Sequence, residues 1–243
     1  MRDIRNKVQE LAARRIEGVI FRPFVAEEFS ETNGEIVNIF RHAEVPVVLI
    51  DSDITRPPKR SDCDLVAVNN IGAGRQIADH LYERGYRRIA FLMENRNPLA
   101  NANWSNRLFG LAGGLALLGC GEGVRKLAFT PTDETAVSRL FRPRTKPDAI
   151  VCGNDEQAER LMETISRLGK RVPDDVAVVG FDDMPLARSS NPPLTTVAQP
   201  VRKLAGTAFK VLLARIRYPN NDPREILLDA PLVVRSTTCR KFP

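Results

Sequence analysis

Aromatic residues are scarce: one Trp, three Tyr and eleven Phe in 243 residues. The apolar mass must come from Ala, Val, Leu and Ile, which suits buried parallel strands and amphipathic helices. No uninterrupted run of about 18 apolar residues occurs, which argues against a transmembrane helix. The opening MRDIRNKVQE is charged and lacks an apolar signal core, so no secretory peptide is expected and a cytoplasmic location is. Cys63, Cys120, Cys152 and Cys239 stand far apart, form no CxxC pair and read as free thiols. They also lack metal-ligand spacing, so neither a metal nor a cofactor is expected. The two histidines, His42 and His80, lie in predicted helices. HExxH, GxSxG and GxxxxGK[ST] are all missing. Enzymatic chemistry is therefore not expected.

What is present is a hydrophobic share of 43%. That is enough to bury a substantial core in one large domain or two lobes of ordinary size. The formal charge is +6. Basic residues are scattered among acids, with short clusters such as Arg87-Arg88 and Arg240-Lys241, and read as a solvated surface.

Along the chain, helix and strand alternate. Ile4, Val8, Leu11 and Ala12 predict a helix over 2–15. Strands are predicted at 18–21, 47–50, 65–68, 89–92, 125–129, 148–152 and 176–179. Helices are predicted near 34–43, 70–84, 104–118, 133–141, 155–169 and 201–217. Asp155 is expected to cap the helix it begins. Gly110, Gly113 and Gly114 lower the propensity of 104–118 and permit close backbone approach. The Gly119–Gly123 stretch is superficially like a phosphate loop but follows a helix, so it reads as a turn. The Pro-, Ser- and Thr-rich run 184–200 reads as irregular. A final strand is expected within 225–235.

Strands joined by helices at this spacing predict parallel sheets covered on both faces. Ligands then bind at the carboxyl ends of the strands. That rule selects Arg22 and Asp51 in the first half, and Asn154 and Asp182 in the second. A carboxylate accepts two hydroxyl hydrogen bonds, an Asn amide donates and accepts, and a guanidinium offers a planar fork. Such a set can orient a polyol, although each residue alone could equally cap a turn or face solvent.

Several segments then resemble one known family. Residues 13–20 read ARRIEGVI, 46–51 PVVLID and 79–92 DHLYERGYRRIAFL. Arg107-Leu108-Phe109-Gly110 resembles RLxG. Residues 153–155 read GND where AND is usual. VPDDVAVVGFDDMPL (172–186), PPLTTVAQP (192–200) and VVRSTT (233–238) complete the likeness. The chain thus resembles the effector-binding region of LacI/GalR transcriptional repressors, over nearly its whole length and in the right order.

The resemblance implies an α/β fold of two Rossmann-like lobes with three crossovers, near 86–88, 196–199 and 225–229. The first lobe would comprise 1–87 and 199–227, and the second 88–198 and 228–243. An effector cleft would lie between them. Carried over by position, Arg107 would grip hydroxyls or a carboxylate, and Asp182 would accept hydroxyl hydrogen bonds. Asn154, Arg22, Asp51, Asn101, Asn103 and Gln199 would complete the ligand set. The implied partners are a sugar, sugar acid or sugar phosphate, a second copy in a homodimer, and operator DNA through a headpiece not in this sequence. No membrane partner is implied.

Three departures stand out. The family's helix-turn-helix and hinge helix are absent. The chain opens where the family's first lobe has its second helix, so the preceding strand–helix–strand is expected to be missing and a sheet edge exposed. Where relatives often carry a stacking aromatic, this chain has Pro131; Trp104 could compensate, or could simply pack under its loop. Two other functions compete. A transport solute-binding protein would use the same lobes but carry a secretory signal. A sugar or nucleoside enzyme could pair Asp51 with Asp182, yet offers no suitable nucleophile.

Overall fold

The computed structural model describes residues 2–14, 16–24, 29–55, 59–93, 102–120, 123–144 and 146–239. These fall into two compact units. The first takes the described residues of Met1–Val68, Leu99–Ala102 and Pro200–Leu228. The second takes those of Asn69–Pro98, Asn103–Gln199 and Asp229–Pro243.

The first unit is a parallel sheet of β1 (Val19–Phe21), β2 (Val47–Ile50), β3 (Asp64–Val68) and β9 (Glu225–Leu228), adjacent in that order. Helices α1 (Arg2–Ala13) and α2 (Ser30–His42) bury Val8, Ile36, Phe40 and Val45 together. Val37, Leu49, Cys63, Leu65 and Ala67 fill the layer beneath. Helix α8 (Val201–Arg217) lies on the strands through Leu204, Ala208, Val211 and Leu212. Val201 and Ala205 of the same helix are exposed. Gly18 admits α8 closely: a Cβ there would stand 2.7 Å from Leu212 Cδ1. Buried Asp64, opening β3, accepts from Arg215 at 2.8 Å and from the Arg224 amide at 2.9 Å. Burial alone would raise its carboxyl pKa; those donors outweigh it and hold it below the ordinary value. β1 forms one edge of this sheet.

The second unit is a six-stranded sheet in the order β10-β8-β7-β6-β4-β5. Its strands are β4 (Ile89–Met93), β5 (Arg125–Ala128), β6 (Ala149–Cys152), β7 (Ala177–Asp182), β8 (Thr195–Ala198) and β10 (Leu232–Val233). All pairings are parallel except β8 with β10. Helices α5 (Glu134–Leu140) and α6 (Asp155–Arg167) pack on one another over this sheet. Val137, Leu140, Ala158, Leu161, Met162 and Ile165 meet Leu92, Ile150 and Val178 there.

Helices α3 (Asn70–Glu83) and α4 (Ala102–Leu117) approach closely at glycines. A Cβ on Gly110 would stand 2.8 Å from the Ile71 carbonyl carbon, one on Gly74 2.8 Å from Leu111 N, and one on Gly114 2.7 Å from Ala78 Cβ. Gly113, expected to share this role, meets nothing within 4 Å. Helix α3 lies in the second unit.

Two expectations need correction. The run 184–200 is not irregular throughout: it holds α7 (Pro185–Ser189) and the interior strand β8. The polar side chains that disguise β8 are satisfied internally. Thr195 Oγ1 donates to Arg235 O at 3.0 Å, and its amide donates to Thr237 Oγ1 at 2.8 Å. The single strand expected in 225–235 is two, β9 in the first unit and β10 in the second, separated by Asp229–Pro231.

Candidate functional site

The apolar strands β6 and β7 bring polar residues to their carboxyl ends. After Cys152 the chain turns through Gly153 and Asn154 into α6. Asn154 is the N-cap, its side chain accepting from Gln157 N at 2.8 Å. The cap expected at Asp155 is thus one residue earlier, and Asp155 does something else. It is fully buried in the first turn, where it accepts from Thr196 Oγ1 at 2.5 Å and from Met184 N at 2.8 Å. Burial pushes its carboxyl pKa up, those two donors pull it down, and the charges of Asp182 and Asp183 raise it again, to about 6.

Helix α4 carries Asn103 and Arg107 one turn apart on one face, and both are buried. Asn70 Nδ2 donates to Asn103 Oδ1 at 3.2 Å, and Arg107 Nε donates to Asn70 Oδ1 at 2.9 Å. Arg107 also donates through Nη1 to the Gly153 carbonyl. Its guanidinium lies 3.4 Å from the centre of the Phe181 ring. An amide oxygen, a peptide carbonyl and an aromatic face thus hold this buried cation. Sequence reasoning missed Asn70. It opens α3 directly after the capping Asn69, and a paired Asn at a helix start reads only as a boundary.

Trp104 lies beside this group. An ideal Cβ on Gly153 would stand 2.6 Å from Trp104 Cδ2 and 2.7 Å from Cζ2. The indole occupies the room an alanine methyl would need, which accounts for GND standing where AND is usual.

At the end of β7, Asp182 has φ +118° and Asp183 φ +54°, conformations that side chains other than glycine rarely adopt. Asp182 Oδ1 accepts from Gln199 Nε2 at 2.5 Å. Asp183 faces elsewhere, paired with Arg235 at 2.6 Å and Arg188 at 3.3 Å. The second unit therefore joins Asn103 to Arg107 through Asn70, Arg107 to Gly153 beside Asn154, and Asp182 to Gln199. Phe181, against Arg107, directly precedes Asp182.

In the first unit, Arg22 and Asp51 follow adjacent strands β1 and β2 and form an ion pair, Nε to Oδ2, at 3.0 Å. Arg22 is 69% exposed and Asp51 13%. Asp51 has φ +76° and donates its amide to Val66 O at 3.0 Å. Asn101 lies outside the described residues.

This collection offers fork donors, amide groups, carboxylate acceptors and an aromatic face. Among the described residues, no group of three or more His, Cys, Asp or Glu could hold a metal ion. Cys152 is fully buried and its thiol pKa is pushed up, by burial first and then by Asp155, so it is a poor nucleophile. His80 Nε2 lies 2.9 Å from Thr238 Oγ1, and His42 Nδ1 lies 2.7 Å from Asn38 O. No described helix is long and apolar enough to cross a membrane.

Residues 78–238 match the family described as periplasmic binding protein-like domain. The chain is 30% identical over 237 residues to the HTH-type transcriptional repressor PurR of Vibrio atlanticus, covering 96% of this chain and 67% of that repressor. The chain belongs to the periplasmic binding protein-like family of LacI-type repressors. Among solved members, the transcriptional regulator CelR in complex with cellobiose superposes with a TM-score of 0.76 at 27% identity, over 96% of this chain and 69% of that one. A LacI family transcriptional regulator from Enterococcus faecalis with bound ribose gives 0.73 at 26% identity, over 96% and 81%. Within this family the chain is the effector-sensing region of a repressor, not a transport solute-binding protein. The relatives are transcriptional regulators.

Proposed function

We propose that this region binds a polyhydroxylated metabolite, a sugar, sugar acid or sugar phosphate, and that occupancy controls DNA binding by a headpiece outside this sequence. The proposed ligand set is Arg22, Asp51, Asn101, Asn103, Arg107, Asn154, Asp182 and Gln199. The observation that carries this reading is the buried Asn103–Asn70–Arg107 chain, ending on the Gly153 carbonyl beside Asn154. Side chains fixed by packing and by neighbouring hydrogen bonds form a pre-organised binding surface. Asp182, already accepting one hydrogen bond, supplies the hydroxyl acceptor. Relatives carrying cellobiose and ribose support the ligand class.

The ligand is bound and released unchanged, because the switch needs only different affinities for two states. The working unit is a homodimer in the cytoplasm. The test is a thermal melt against sugars, sugar acids, sugar phosphates and nucleobases, with Asp182→Ala alongside. A ligand specific to the folded state raises the melting temperature by mass action. A shift with one class that disappears in Asp182→Ala supports the reading. A cooperative melt with no shift across the panel, or a shift that Asp182→Ala retains in full, sinks this residue assignment. Turnover of a ligand that does shift the melt overturns the non-enzymatic reading.

A further inference from the structure

We propose that Gln157 is a further specificity-determining residue of the second unit, its side-chain Nε2 donating to an acceptor oxygen of the bound metabolite. Gln157 stands outside the ligand set named above, and its assignment rests on the reading that this region binds a polyhydroxylated metabolite. The oxygen it would take is a ring, hydroxyl, carboxylate or phosphoryl oxygen.

Gln157 lies in the first turn of α6, three residues after the capping Asn154. It is 3% exposed. The two ends of its amide are in different states. Oε1 accepts from the Gly153 amide at 2.7 Å. Nε2 is buried and has no hydrogen-bond partner among the described residues. Turning the amide over would set Nε2 against the Gly153 N–H, donor against donor, so the nitrogen is fixed as the unpaired end.

A capping role explains only half of this side chain. Gln at the third helical position often reaches back to an amide at the helix start. That role uses Oε1 alone, and a glutamate would fill it equally well. It gives no reason for a buried donor, which carries its full desolvation penalty while unpaired. The acceptors around the turn serve other donors. Asn154 Oδ1 takes the Gln157 backbone amide at 2.8 Å, Asp155 takes Thr196 and the Met184 amide, and the Gly153 carbonyl takes Arg107.

The unpaired donor stands among the proposed ligand residues. The two ends of an amide are about 2.2 Å apart, which puts Nε2 within about 5 Å of the Gly153 nitrogen. Gly153 is therefore held at its N–H by Gln157 and at its carbonyl by Arg107. Donors gather at the end of β6, whereas β7 ends in the acceptor Asp182. That polarity orients a ligand, with an acceptor oxygen toward β6 and hydroxyl hydrogens toward Asp182. A neutral amide selects by the direction of the hydrogen bond rather than by charge.

The experiment is a thermal melt and a calorimetric titration with ribose, ribonate, ribose 5-phosphate and cellobiose, on wild type, Gln157→Glu and Gln157→Met. Gln157→Glu keeps an oxygen for the Gly153 amide but replaces the donor with an acceptor. Gln157→Met removes both groups at similar length. The probe that binds wild type is expected to weaken about tenfold or more in Gln157→Glu, where oxygen faces oxygen, and about threefold in Gln157→Met. Ribose as that probe marks a ring or hydroxyl oxygen, ribonate a carboxylate and ribose 5-phosphate a phosphoryl oxygen; each agrees with the proposal. Wild-type affinity in Gln157→Glu overturns it, since Nε2 then serves only a buried water. A larger loss in Gln157→Met than in Gln157→Glu also overturns it, because Gln157 then acts only through the Gly153 amide. If Gln157→Glu does not melt cooperatively, Gln157→Met decides: a loss of about threefold or more supports the proposal and a smaller one overturns it. No binding of any probe to wild type brings down the metabolite reading itself and this assignment with it, an outcome read from wild type before any variant is compared.

Discussion

The indole of Trp104 stands where the Cβ of any residue but glycine at position 153 would have to go. The same glycine's carbonyl accepts from Arg107. One peptide unit is therefore held by an aromatic ring and a guanidinium, both from α4.

Gly153→Ala should push the indole aside and cost about 1–3 kcal/mol, as overpacking does. In a Trp104→Ala background the same change should cost close to nothing, since the obstruction is gone. A double-mutant cycle on thermal stability measures the difference. Equal costs in both backgrounds would show that Trp104 does not set the identity of residue 153. Because Trp104 is the chain's one tryptophan, its fluorescence also reports the displacement.

The α3–α4 crossing gives a paired expectation. Gly110→Ala drives a methyl into the Ile71 carbonyl of α3 and should destabilise by roughly 1–3 kcal/mol or more, because backbone cannot step aside as a side chain can. Gly113→Ala, three residues on, has open space and should stabilise by about 0.5–1 kcal/mol through helix propensity. Denaturant melts of both variants decide it. Similar effects from the two would mean that the helices do not meet through Gly110.

Asp155 sets a pH dependence of stability. Its carboxyl titrates near 6 in the fold, against 3.8 as the ordinary value. The folded state therefore favours the protonated form. This contribution is complete below about pH 4 and fades as the pH rises through 6, by on the order of 3 kcal/mol. His80 acts in the opposite sense: burial, then the Arg84 charge, lowers its pKa, so its contribution is present above the ordinary 6.5 and fades as pH falls. Comparison of wild type with Asp155→Asn between pH 4 and 7 isolates the first effect. Parallel curves would remove Asp155 as its source.

Arg22 should tune charge preference in the proposed ligand set. Arg22→Ala is expected to weaken a sugar acid more than its neutral sugar, by several fold, in titration calorimetry. Equal losses for both would leave Arg22 no part in recognising the anion.

The strands that proved easiest to read are those built around uninterrupted apolar runs. β2, β3, β4, β6 and β7 announce themselves because both sheet faces are covered, and only an aspartate at the start of β3 and at the end of β7 breaks the apolar pattern. β8 was hidden for the opposite reason. Thr195 and Thr196 look like loop residues until Arg235, Thr237 and Asp155, about 40 positions away, supply their hydrogen bonds. Asp155 was misread by one residue because Asn and Asp cap equally well, and only the burial beneath Thr196 separates their roles. Asn70 had no local signal at all. Its importance comes from Arg107, a partner 37 residues on. The residue types of the candidate site were legible; the groups that fix them in place were not, because those contacts are made between distant segments.

Asp182 does not wait with an empty acceptor. Gln199 donates to it at 2.5 Å, and Gln199 is the last residue of the second unit before the chain passes at Pro200 into α8. In the proposed ligand set a hydroxyl arriving there would share the carboxylate with that amide, because the carboxylate keeps further lone pairs, and a ligand that can only accept would have nothing to offer it. The side chain beside which it would settle belongs to the residue through which the chain leaves the second unit.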